Sequence, residues 1–304
     1  MLDGLGLYRE ALPNYERALA IRENTPGVPE KDIAQSLNNL STVYDHLNRT
    51  DGAETLYHRA LKMRLRLASG ENDLDVALTY SNLAVLCYKR RHYAEAESFY
   101  ARAIVIRERL LGPENLAVAT LLNSLSVVYQ AQDKSGEAEQ LLHRVLAIRQ
   151  AILPPTHPRL ADTFNGLGVI ASQTGALLEA EGLLKRALAI RLARFGNIHP
   201  DTARTQHNLA SLYVHQDRYS EAELLQRESL ATSQKLLPPD HDELASNFAT
   251  MGEICAALGK RGAARAFYEH ALAIYSASRN PADALILEIR GAISRLGVSP
   301  RRAE

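Results

Sequence analysis

One text recurs along this chain at intervals of 42 residues, with a single interval of 43. A hydrophobic anchor marks it at Leu40, Leu83, Leu125, Leu167, Leu209 and Met251. A second anchor keeps step at Ala11, Ala53, Ala96, Ala138, Ala180, Ala222 and Ala264, most often followed by Glu. The two registers never drift apart, and a period of this length is the signature of stacked supersecondary units that share a continuous core. The extra residue falls between Leu67 and Ala77, beside Ser69, Gly70 and Asn72, where loop chemistry tolerates an insertion. Length alone would suggest about two globular domains. A repeat array escapes that count, and the sequence reads as one domain.

Each copy divides into two amphipathic helices. In the first half, Leu37, Leu40, Ser41 and Tyr44 stand at i, i+3, i+4 and i+7, the stripe of a helix that we call A. In the second half, Ala53, Leu56, Tyr57, Ala60, Leu61 and Arg64 keep helical spacing, with charged residues turned outward, and form helix B. Small residues recur where the two should cross: Ser41, Ala84, Ser126, Gly168, Ala210 and Gly252 in A, opposite the alanine anchor in B. They let the backbones approach to the short end of the usual range. Pro158 and Pro200 suit the first turn of a following helix A.

These residues carry a family resemblance. Leu111 to Tyr129 reads LGPENLAVATLLNSLSVVY, and both Ala187 to Arg191 and Ala18 to Arg22 read ALAIR. The chain resembles the 42-residue tetratricopeptide repeat of the kinesin light chain type over nearly its whole length. The resemblance implies an all-α fold, a right-handed superhelical solenoid of antiparallel helix pairs with helix A on the concave face, and a groove there that holds peptides or partner proteins. The expected organisation is an incomplete repeat over residues 1–30, six repeats over 31–279 (about 31–73, 74–115, 116–157, 158–199, 200–241 and 242–279), a capping helix over 280–297 and a disordered tail over 298–304. Leu2 aligns with Tyr44, so the chain is expected to start inside a helix A, as a fragment of a longer protein or as a stub that needs another cover. Pro281 is expected to open the capping helix, with Leu285, Ile286, Ile289, Ile293 and Leu296 on its buried side.

Charge excludes some partners. Lys plus Arg and Asp plus Glu both number 35, so no global field recruits nucleic acid or an anionic membrane surface. No run approaches the roughly 18 apolar residues of a membrane span, and Asp3, Arg9 and Glu10 break any signal-peptide core. The expectation is a soluble, cytoplasmic chain without a cofactor. Cys87 and Cys255 occupy one repeat position that elsewhere holds Tyr44, Tyr129 or Tyr213, and read as buried packing residues. His157, His199 and His241 recur one repeat apart, too far from one another to share a metal, and read as loop or capping residues. Phosphate-binding loops, paired metal-site cysteines and nucleophile elbows are missing from the sequence, which reads as non-catalytic.

Recognition is expected on the side of helix A opposite its packing stripe, near positions 35, 38, 39, 42, 45 and 46 of each copy. Two adjacent positions there give Asn38, Ser81, Asn123, Asn165, His207 and Ala249, then Asn39, Asn82, Ser124, Gly166, Asn208 and Thr250. A carboxamide both donates and accepts, so spaced Asn side chains can hold the backbone of an extended peptide whatever its sequence. The resemblance points the same way, with Asn39, Asn82 and Asn208 as the best matches to backbone-holding residues. The alternative is that these amides bond to neighbouring helices or solvent. Lys89, Arg90, Arg91 and His92, with His46, Arg204, His207 and His215, would favour acidic ligands, unless Lys89 and Arg90 merely offset a helix dipole. Val85, Val127 and Val169, with Tyr88, offer an apolar seat. The partner so implied is a protein or peptide, acidic in one reading. The second reading is self-association through the unfinished first repeat, or use as a spacer or sensor module of a larger regulatory protein.

Overall fold

The structure is a computed structural model that describes residues 7–68, 72–278 and 282–297. Among the described residues it holds fourteen α-helices and no strand. A lone helix, α1 (Tyr8–Asn24), precedes six A–B pairs. These are α2 (Glu30–His46) with α3 (Thr50–Leu67), α4 (Leu74–Lys89) with α5 (Tyr93–Leu111), α6 (Leu116–Ala131) with α7 (Ser135–Ile152), α8 (Pro158–Gln173) with α9 (Leu177–Phe195), α10 (Pro200–His215) with α11 (Tyr219–Leu236), and α12 (Asp242–Ala257) with α13 (Arg261–Ser278). A last helix, α14 (Ala284–Gly297), follows. The chain divides into two compact units, Met1–Ile152 and Leu153–Glu304, each with its own buried apolar clusters. None of the described helices is long and apolar enough to cross a membrane.

Two local devices repeat in register. Each passage from A to B is a left-handed turn on Asn48, Arg91, Asp133, Gly175, Asp217 or Gly259, with φ between 56° and 86°. The next residue then donates its amide hydrogen to the carbonyl five residues back, as in Arg49 to Tyr44 at 2.9 Å, His92 to Cys87 at 2.9 Å and Lys260 to Cys255 at 2.8 Å. This satisfies a carbonyl that the helix end would leave bare. The starts of five A helices and of α14 are capped by Asp73, Asn115, His157, His199, His241 and Asp283, each accepting the amide hydrogen two residues on at 2.6 to 3.2 Å. The three histidines are therefore caps acting through Nδ1, in the place where other copies use a carboxylate or an amide.

Within each pair the crossing is as close as its small residues allow. The alanine anchors from Ala53 to Ala264 are fully buried. A Cβ added at Gly168 would stand 2.7 Å from Leu184 Cγ, and one at Gly252 would stand 2.7 Å from the Tyr268 ring. Cys87 and Cys255 are free and buried, as expected, and burial pushes the Cys87 thiol up to about 11.

Between successive pairs the joint is polar. The arginine that ends the ALAIR motif recurs as Arg22, Arg64, Arg107, Arg149 and Arg191, and three of these are only 1 to 4% exposed. They contradict the expectation that helix B turns its charges outward. Arg64 donates to Gln35 Oε1 (2.7 Å) and Asn38 Oδ1 (3.4 Å) in its own helix A, and to the Asp75 carbonyl (2.9 Å) and Thr79 Oγ1 (2.6 Å) in the next. Arg191 does the same with Asp162 (2.8 Å), the Asp201 carbonyl (2.8 Å) and the Thr205 hydroxyl. A planar guanidinium with five donors is suited to such a three-helix junction, and enough acceptors face it to offset its desolvation. A second link runs near the surface. The Glu after the alanine anchor takes a base from the following pair: Glu97 with Lys134 at 3.0 Å, Glu181 with Arg218 at 2.8 Å and Glu223 with Lys260 at 2.7 Å. Lys185, Arg218 and Tyr213 together hold the Glu181 carboxyl at about 2.

The end of the chain departs from expectation in one respect. Ile286 and Ile289 are buried and Ile293 and Leu296 pack beside them, but Leu285 is 40% exposed. The stripe of α14 is centred one residue later than read from sequence, because the helix starts at Ala284 on its Asp283 cap. Pro281, residues 1–6 and residues 298–304 lie outside the described residues.

Arg91 is the one turn residue whose long side chain has no use for a left-handed φ, here 62°. Replacing Arg91 with Gly should raise stability by roughly 0.5–1 kcal/mol, because αL strain exceeds the entropy that glycine adds to the unfolded chain. Chemical denaturation measures this. A loss of stability would show that Arg91 makes a contribution beyond its turn.

Candidate functional site

The candidate amides sit on helix A at the positions nearest the arginine junctions, and this geometry divides them into two kinds. In the first unit, Asn38 is 4% exposed, and its Oδ1 accepts from Arg64 and from Asn82 Nδ2 at 3.2 Å. Asn123 gives its Oδ1 to Arg149 Nη1 at 3.3 Å. In the second unit, Asn165 gives its Oδ1 to Asn208 Nδ2 at 3.0 Å. The first position thus works mainly as an acceptor, for the arginine of its own repeat or for the amide of the next.

The remaining hydrogen-bonding capacity is specific in sign. Asn39 accepts from Gln35 Nε2 at 2.7 Å and leaves its NH2 without an acceptor among the described residues. Asn123 and Asn165 likewise retain NH2 donors, while Asn82 and Asn208 retain carbonyl acceptors. All five are half-buried, so these groups reach solvent. One turn beyond Asn82 and Ser124, Val85 and Val127 are 38% and 40% exposed, whereas Val169 is half-buried. Tyr88 is half-buried and tilts against Tyr93 at 5.7 Å between ring centroids. Ser124 and Gly166 carry no amide, as their sequence dictates.

Apart from Arg91, the basic candidates are already engaged, His92 with Glu95. Lys89 Nζ donates to both oxygens of Asp45, at 2.9 and 2.8 Å, across two A helices. Arg90 pairs with Glu54 and with Asp51, so both bases link repeats rather than offsetting a helix end. Arg204 pairs with Asp201 one turn back on its own helix. His46 stacks on Tyr8 with ring centroids 4.1 Å apart, and His215 Nδ1 lies 3.5 Å from Ser172 Oγ.

His207 occupies the amide position where the arginine series ends. Position 233, where the next arginine would stand, is a serine, and a neutral network takes over. Gln226 donates to the Asn247 carbonyl and Oδ1, and the single hydroxyl hydrogen of Ser229 has two acceptors within reach, Asn247 Oδ1 at 2.7 Å and the Ala203 carbonyl at 2.8 Å. His207 Nδ1 donates to Gln226 Oε1 at 3.1 Å, which leaves Nε2 facing Ser246 Oγ at 3.3 Å. Burial holds the His207 pKa below its ordinary 6.5, against weaker opposing pulls from Gln226 and Glu243. Sequence reasoning missed the junction arginines and this substitute network. The signal was available, since ALAIR ends on the same residue in copy after copy and changes when Asn gives way to His207.

A histidine with a depressed folded-state pKa favours folding in its neutral form. That contribution is complete above 6.5 and declines as pH falls from there toward the lower folded value. Thermal melts of the second unit's transition should therefore shift down between pH 7.5 and 5.5, and His207→Gln should reduce the shift. An identical shift in that variant would place the acid sensitivity elsewhere.

The tetratricopeptide repeat family profile matches residues 3–66, 75–151, 128–193, 159–235 and 201–277. Among curated proteins, the clustered mitochondria protein homologs of Aspergillus terreus and Xenopus tropicalis are similar to this chain. Each is 26% identical, over 110 and 128 residues, or 36% and 42% of the chain. The chain spans only 9% and 10% of their length. Among solved structures, BtubC (BKLC) from P. vanneervenii superposes with a TM-score of 0.60 at 22% identity, over 82% of this chain and 93% of that one. The kinesin light chain-like repeat protein of Podospora anserina gives 0.53 at 25%, over 66% and 96%. The Cut9–Hcn1 assembly of the APC/C gives 0.69 at 16%, over 98% and 47%.

Proposed function

The chain belongs to the tetratricopeptide repeat family, and from that premise we propose that it is a non-catalytic interaction scaffold whose helix A face holds an extended segment of a partner protein. The observation that carries this reading is the unused half of each half-buried amide. Asn39 and Asn123 offer donors and Asn82 offers an acceptor, on a face that also exposes Val85 and Val127. An extended backbone presents N–H and C=O groups alternately, and such a set meets both without reading side chains. The valines supply the apolar contact that gives an anchor residue its seat. Asn165 and Asn208 repeat the donor and acceptor arrangement in the second unit.

Charge has a smaller part. An acidic ligand would compete with Asp45 for Lys89 and with Asp201 for Arg204, so these bases tune selectivity more than affinity. Tyr88 flanks the apolar seat. His207 and Asn38 support the face from beneath, through their bonds to neighbouring repeats.

Peptides selected from a random displayed library provide the test. The double change Asn39→Ala with Asn82→Ala should weaken the selected peptides by about tenfold or more, at roughly 1 kcal/mol per lost hydrogen bond, and the loss of the Asn82 to Asn38 bond should cost stability by a similar amount without unfolding the chain. Asn38→Ala should act mainly on stability, because it removes the acceptor that Arg64 and Asn82 share. Unchanged affinity in the double variant, or no enriched peptide at all, would refute the assignment.

A further inference from the structure

At the end of the second unit, α12, α13 and α14 enclose a cavity of about 310 Å³. It opens at Ala249 and Thr250, the positions that hold paired amides in other repeats, and its wall includes Leu285 and Ile289. The exposure of Leu285 is explained by this cavity, which the shifted stripe of α14 leaves open. Tyr268 also lines it. The tyrosine is 7% exposed, its ring lies against Gly252, and its hydroxyl has no hydrogen-bond partner among the described residues. The ring is buried while the hydroxyl reaches solvent through the cavity, so an occupant that displaced water there would have to replace its hydrogen bond. Glu253 and Glu288 stand on the same wall, and neither makes an ion pair or hydrogen bond among the described residues. Among the described residues Arg295 is the only base lining this cavity, so its ionised groups sum to a negative charge.

We propose that this cavity receives a lysine side chain of a partner polypeptide. The four-carbon stem lies against Leu285 and Ile289. The ammonium group gives its three hydrogens to the Glu253 and Glu288 carboxylates and to the Tyr268 oxygen. Charge selects this occupant: a carboxylate or phosphate would meet two unpaired acids, and a purely apolar side chain would leave the phenol unmet. Burial of Glu253 and, to a lesser degree, repulsion by Glu288 raise its pKa against an opposing pull from His215, and a cation seated between the carboxylates relieves both. The site stands apart from the amide reading, since none of its residues contributes to the amide face described above.

The test uses the whole chain and the probe peptide acetyl-Gly-Gly-Lys-Gly-Gly-amide, followed by NMR. Saturable shifts confined to α12–α14 are expected, with the norleucine counterpart about tenfold weaker or worse, since it lacks only the charged donors. The double change Glu253→Gln with Glu288→Gln should weaken lysine peptide binding by a similar factor, whereas Arg295→Gln should strengthen it severalfold by removing the opposing charge. The Asn39→Ala, Asn82→Ala variant should bind the probe as the parent does, which separates this proposal from the amide reading. Equal binding of the norleucine peptide, no saturable shift, or undiminished binding to a folded double-glutamine variant would overturn it. The norleucine comparison decides the matter even if a variant does not fold.

Discussion

A guanidinium buried where three helices meet, as at Arg64 and Arg191, is the interaction on which the stacking of those repeats depends. The apolar stripe of each helix explains why A and B pair, but a hydrophobic joint alone is non-directional. Arg64 and Arg191 fix the register between one pair and the next by bonding a backbone carbonyl and a hydroxyl in the first turns of the following helix A. The left-handed turns and the helix caps then set the length of each unit, so that the arginine meets its acceptors again one repeat later. The period in the sequence is the distance between such junctions.

The same junction determines which amides remain for recognition. A first-position amide must accept from the arginine or from the next repeat, as Asn38, Asn123 and Asn165 do. Only what is left over can bind a ligand. Structure and recognition therefore share the same side chains, and a substitution at either position has to be judged by which half of the amide it removes. Where serine replaces arginine at position 233, Gln226, Ser229 and Asn247 rebuild the joint from neutral groups, and His207 replaces the amide. This exchange leaves the end of the second unit without an amide ladder and with a cavity of different chemistry.

The helix pairs, the crossing residues Ser41 to Gly252, the capping histidines and the burial of Cys87 and Cys255 were legible in the sequence, because periodicity and residue size decide them locally. The candidate amides were found too, but the division of their hydrogen bonds was not. Which nitrogens meet Oδ1 of Asn38 depends on the angle between stacked pairs, which no single copy contains. The arginines were misread for a related reason. A charged residue at a helix end is ordinarily solvated, and only the acceptors brought in by the next repeat make burial tolerable. Leu285 was placed on the buried side because Pro281 suggested an earlier helix start than the Asp283 cap gives.

Residue-resolved hydrogen exchange on the Arg64→Met protein tests the arginine junction most directly. Methionine keeps most of the volume and removes every donor. If the guanidinium holds three helices together, exchange should accelerate in α2 and in the first turns of α4 as well as in α3. Acceleration confined to α3, with α2 and α4 protected as in the parent, would contradict the account.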